Sequence, residues 1–133
     1  HGPGQLIGYC LINLRRRGMH IRQLVDFIEQ SLLQLLAQNG IGGHLLDKQP
    51  GVYVDGNKIA SLGLRVHKGC SYHGFSLNVD MDLEPFSAIH PCGLQDMQVT
   101  QLTDLGGNKS FDMIQNEMAQ ILQQRLPTYI QGK

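Results

Sequence analysis

Cys92 sits in the run Ala88-Ile89-His90-Pro91-Cys92-Gly93-Leu94, between a proline and a glycine. Proline fixes its own φ and has no N–H to give a ladder. Glycine lets another group approach the backbone closely. A thiol held there belongs on a turn, where a working sulfur would be put and where an idle surface cysteine could also sit by chance. A nucleophilic cysteine needs thiolate character from a nearby cation or a helix N-terminus. Peptide N–H groups around Gly93 are candidate donors to an oxyanion. Of the other two cysteines, Cys10 lies in an apolar run and reads as a small core hydrophobe. Cys70, in "HKGCSYHG", reads as a loop or strand-end residue. The second candidate is Lys58. If 58–66 is a strand, strict alternation puts Lys58 on the face of Ala60, Leu62, Leu64 and Val66. At the mouth of such an apolar face, desolvation disfavours the charged amine. A lysine so tuned can serve as a general base or acid. The competing reading is a hairpin-end lysine in water.

The histidines are His1, His20, His44, His67, His73 and His90. His90 precedes Cys92 by two and could be its base, but Pro91 need not keep the two side chains on one face. His1 and His73 each precede a glycine, where a ligand could lie against the backbone; an ordinary turn residue is the alternative. No Cys/His pair has the close spacing of a zinc cluster, so no metal site is expected. "HGPG" and "GIGG" lack the glycine-lysine-serine/threonine ending of a phosphate-binding loop, so nothing here is built to hold ATP.

These groups need elements to position them. Residues 5–14 are apolar and short and read as a buried strand. From 20 to 39, Ile21, Leu24, Val25, Ile28, Leu32, Leu35 and Leu36 recur at helical steps, and Gly40 follows as a C-terminal cap. "GVYV" (51–54) runs into an Asp-Gly-Asn hairpin signal, and 58–66 returns as a strand. Residues 71–79 form another strand, with Gly74 marking a bulge or a close approach. "EPFSAI" (84–89) reads as a short helical turn, and "RRRG" (15–18) as a solvated basic turn. A second amphipathic helix runs from Ser110 to Leu126, with Pro127 ending it. The order β-α-β-β-β-α predicts an α+β fold: a mixed, mostly antiparallel sheet packed by two main helices.

Composition narrows the function. The 133 residues suffice for one domain with a real core. Eleven basic and eleven acidic side chains cancel, which argues against a nucleic-acid partner. No apolar run is long enough to span a membrane. Three widely spaced cysteines do not make a disulfide framework, so a cytoplasmic setting is expected. The chain opens on "HGPGQLIGY", without methionine, at what reads as the middle of a domain; an upstream segment is expected.

Taken together, "HGPGQLIGY", "GVYVDGNKIASLGLRV", "SYHGFSLNVDMDL" and "IHPCG" resemble, in order, the signature blocks of the bacterial octanoyltransferases, the lipoate–protein ligase B family. The resemblance covers residue 1 to about 105, and the last helix fits more loosely. It implies that 1–133 is a single catalytic domain, N-terminally incomplete, with the fold of lipoate and biotin ligases. It implies transfer of an octanoyl group from octanoyl-acyl carrier protein to a lysine of lipoyl domains, through a thioester on the enzyme's own cysteine. By that likeness Cys92 is the acylated nucleophile and Lys58 its acid–base partner, which favours the thiolate. Ser61, Leu62 and Gly63, then His73, Gly74, Phe75 and Ser76, match the acyl-substrate-binding stretches; His1 matches the end of another.

The implied partners are octanoyl-acyl carrier protein, the lipoyl domains of 2-oxo acid dehydrogenase complexes and the glycine cleavage H protein. No cofactor is implied, because the thioester arrives activated, and a monomer is expected. Family members carry a further stretch ahead of His1, including an arginine-glycine-glycine block that this sequence lacks. The rival readings are an ATP-dependent lipoate- or biotin-type ligase, a non-catalytic module that docks lipoyl domains, and a Cys-His hydrolase using His90.

Overall fold

The computed structural model describes residues 4–10, 20–67, 70–80 and 99–129; for 9, 10, 64–67, 70–73 and 127–129 it describes the backbone only. The elements are β1 (Gln5–Cys10), α1 (Ile21–Gln38), β2 (His44–Leu46), β3 (Gln49–Val54), β4 (Asn57–His67), β5 (Cys70–Asn78), a 3₁₀ turn (Thr103–Leu105) and α2 (Phe111–Tyr129). Among the described residues five strands form one sheet in the order β1-β5-β4-β3-β2, every neighbouring pair antiparallel. The α+β architecture with two helices on an antiparallel sheet is as expected. The readings at 15–18 and 84–89 lie outside the described residues.

Helix α1 follows from its apolar spacing. Leu24, Phe27, Ile28, Leu32, Leu35 and Leu36 are all buried, and Ile21, expected on the stripe, is 52% exposed at the first turn. Ser31 is the polar residue in the stripe, and its hydroxyl donates to the Phe27 carbonyl at 2.6 Å, which removes the cost of burying it. The helix ends as Gly40 predicts. Gly40 has φ +76, its N–H donates to the Ala37 carbonyl, and the Ile41 N–H donates back to Leu36 at 2.8 Å. That pair of bonds is a Schellman motif. Helix α2 buries Ile114, Met118 and Ile121. The sequence placed its end at Pro127, but the helix continues to Tyr129. Proline there costs the one i→i−4 bond its N–H would have made, and only two helical residues follow it.

The helices are joined by polar contacts at their rims. Arg125 Nε donates to Gln34 at 2.6 Å, Asn39 donates to Glu117 at 2.8 Å, and Lys109 pairs with Glu117. Burial pushes the Glu117 carboxyl up, but the bonds from Lys109 and Asn39, with the Lys109 charge, outweigh it and hold the group below its usual range. Beneath the helices, the core is completed by Leu6, Val52, Val54, Ile59, Ala60, Phe75, Leu77 and Val79 of the sheet and its margin. Among the described residues no helix is long and apolar enough to cross a membrane.

Candidate active site

Lys58 opens β4 just after a tight turn. Asp55 (φ 51) and Gly56 (φ 82) both take left-handed backbone angles, and Val54 pairs with Asn57 across them. This is the two-residue hairpin loop that an Asp-Gly pair favours. The register then slips. Tyr53 pairs with Lys58, yet Val52 pairs with Ala60, so Ile59 is an extra residue in β4. A one-residue bulge reverses the side-chain parity on either side of it. Lys58 therefore shares a face with Tyr53, while Ala60 shares the opposite face with Val52. This corrects the strict alternation expected from sequence, which put Lys58 beside Ala60 and Leu62. Ile59 and Ala60 both bury into the core.

On its own face Lys58 meets three things. Its Nζ stands 5.7 Å from the centroid of the Tyr53 ring, and Tyr53 is completely buried. Its stem crosses Gly51, where an added Cβ would stand 3.1 Å from Lys58 Cε and 2.6 Å from the Ala60 carbonyl oxygen. Gly51 is required twice over, since its φ is +124. On the β5 side, where that strand has ended, Val99 forms a parallel bridge with Lys58 and the Thr100 N–H donates to the Lys58 carbonyl at 2.8 Å. Asn78, buried, fixes this crossing strand: its amide donates to the Thr100 carbonyl at 3.0 Å and accepts from Gln5 at 2.9 Å. Helix α1 reaches the same place through Glu29, whose carboxyl faces the backbone N–H of Gly51. Burial raises the Glu29 carboxyl above its usual range; the Gly51 N–H partly offsets this, and the charge of Asp26 adds to it.

The other residues singled out from sequence divide between the two faces. Ser61 pairs with Ser76 and Gly63 with Gly74, in unbroken register on β4 and β5. Counting from the bulge, these four small residues continue the face of Lys58, a floor with almost no side-chain relief. Gly74 is not a bulge; it pairs with Gly63 and the ladder passes through it. Leu62 and Phe75 pair on the opposite face. Phe75 is 5% exposed there, and its ring lies where a Cβ on Gly8 would be, 2.3 Å from Cε2. The backbone of His73 pairs with Leu64 and Cys10. His1, His90 and Cys92 lie outside the described residues.

Sequence reasoning passed over Tyr53 and Gly51. A signal was present: "GVYV" puts them two apart on one face, and a glycine inside a buried strand marks a close approach.

The model of the lipoyl protein ligase A/B catalytic domain matches residues 1–125. The octanoyltransferase of Thiobacillus denitrificans is 52% identical over 126 residues, covering 95% of this chain and 58% of that protein. The octanoyltransferase of Pseudomonas aeruginosa is 56% identical over 111 residues, covering 84% of this chain and 51% of that one. The chain thus spans little more than half the length of these relatives. Among solved structures, biotin protein ligase from Aquifex aeolicus in complex with biotin and ATP superposes with a TM-score of 0.74 at 19% identity, over 98% of this chain and 53% of that one. A putative lipoate protein ligase from T. acidophilum gives 0.67 at 18%, over 96% and 53%. At those identities the structures speak for the fold alone. The sequence matches speak for descent: the chain belongs to the lipoyl protein ligase A/B catalytic domain family.

Proposed function

We propose that the protein transfers an octanoyl group from acyl carrier protein to a lysine of lipoyl domains, with Cys92 as the acylated nucleophile and Lys58 as its acid–base partner. The observation that carries this reading is the placement of Lys58. A bulge turns it out of the core onto a face floored by Ser61, Gly63, Gly74 and Ser76, in a chain about half identical to octanoyltransferases. Connectivity supports the partnership. Val99, bridged to Lys58, follows Cys92 by only seven residues, a tether of at most about 25 Å when fully extended.

Each step balances. The Cys92 thiolate attacks the donor thioester carbonyl, and peptide N–H donors hold the oxyanion. The bond to the phosphopantetheine sulfur breaks, and that sulfur takes the proton from the Lys58 ammonium. The now neutral Lys58 removes a proton from the ammonium of the incoming lysine. Its amine attacks the Cys92 thioester, the carbon–sulfur bond breaks as the amide forms, the thiolate leaves, and the second amine proton passes to water. The small-residue floor suits an extended acyl chain. Seven buried carbons at about 0.8 kcal/mol each supply roughly 5 kcal/mol before entropy is subtracted. Neither nucleotide nor metal enters these steps, and a cytoplasmic enzyme is proposed.

The fold shared with a ligase solved with biotin and ATP favours a second reading, an ATP-dependent ligation. The two part cleanly. Transfer from an octanoyl thioester to a lipoyl domain is expected to proceed without nucleotide. Transfer that occurs only from free octanoate with ATP would favour the ligase.

A further inference from the structure

We propose that Tyr53 is a positioning residue for Lys58, holding its ammonium over the aromatic ring at the point from which it serves the reaction. The inference rests on the acid–base role given to Lys58 above. The geometry is cross-strand: Tyr53 and Lys58 are direct partners on β3 and β4, and Nζ lies 5.7 Å from the ring centroid. That is within reach of a cation–π attraction. The ring itself is fixed. It is fully buried, its hydroxyl lies 3.3 Å from the Pro50 carbonyl oxygen and 3.4 Å from that of Gln49, and His44 stacks on it at 6.2 Å. His44 is fixed in turn, its Nε2 accepting the Gly56 N–H at 3.2 Å.

The stem of Lys58 is confined on the other side by the bare backbone of Gly51. Among the described residues no carboxylate pairs with Lys58, and the ring face is the contact its amine makes. A flexible four-carbon stem would otherwise spread its charge over many rotamers.

The test varies the ring's electron density at nearly constant shape. Phenylalanine and its mono-, di- and trifluorinated analogues are placed at position 53 of the intact protein. The readouts are kcat and KM for octanoyl transfer, and the labelling rate of Lys58 by an amine-acylating ester, followed by mass spectrometry. The expected result is a stepwise fall in kcat with each fluorine, about 3- to 30-fold over the series, with KM for the acyl donor nearly constant. Lys58 labelling is expected to rise in the same steps as the amine is released. A flat series in both readouts, or a single drop at Tyr53→Phe with nothing further, would overturn the proposal, since those are the marks of packing or of the hydroxyl. Labelling separates the two ideas: if Cys92→Ala left octanoyl transfer intact, the functional reading would fall, while fluorine-dependent labelling would still establish the contact.

Discussion

At the residue scale, the arrangement depends on one position having no side chain. Gly51 combines a φ of +124 with the passage of Lys58 across its α-carbon. Gly51→Ala is expected to cost about 2 kcal/mol of stability from backbone strain. It should also displace Lys58 and lower the transfer rate beyond what partial unfolding explains; urea titration alongside kinetics below the unfolding range checks both. Glu29 bears on the same spot from α1. Its carboxyl is held above the ordinary 4.5, so the fold prefers it protonated. That penalty is absent at pH below the ordinary value and is fully felt once pH has risen above the folded one. Glu29→Gln, which removes the charge at nearly constant shape, is therefore expected to raise the melting temperature at pH 7 and to change it little at pH 4.

At the element scale, the bulge in β4 and the clasp between the helices matter most. Gly8→Ala on β1 would drive a methyl into the Phe75 ring and is expected to cost about 1–3 kcal/mol, measured by denaturant unfolding. The helix clasp predicts an acid limb. Glu117 is held below the ordinary 4.5, so its contribution is complete above that value and is lost as pH falls through the lowered one. Glu117→Gln should flatten the fall in melting temperature below about pH 4.5. Much of this scale was legible in the sequence. The stripe from Leu24 to Leu36, the stop at Gly40, and the Asp55-Gly56 turn each have a local cause that a short window contains. The face of Lys58 was not legible, because a bulge is a fact about two strands: nothing in "NKIAS" announces that Ile59 has no partner on β3. Nor was β2, three residues at the sheet edge whose pairing is set by β3 and not by its own composition.

At the scale of the whole molecule, the sheet has two unlike faces. One is buried under α1 and α2 by Val52, Ala60, Phe75 and Leu77. The other carries Lys58 over Tyr53 and a floor of serines and glycines. The family blocks were legible because they follow that second face: Lys58, Ser61, Gly63, Gly74 and Ser76 are scattered over nineteen positions in sequence and adjoin in register. Lys58→Ala is expected to slow acyl transfer by about a hundredfold or more while leaving acyl binding largely in place, as measured by single-turnover kinetics against donor titration. The most direct test of the account is the intact mass of the protein after incubation with octanoyl-acyl carrier protein. The account predicts one added octanoyl group, absent in Cys92→Ala and passed to a lipoyl domain on chase. An adduct that persists in Cys92→Ala and disappears in Cys70→Ala would contradict it.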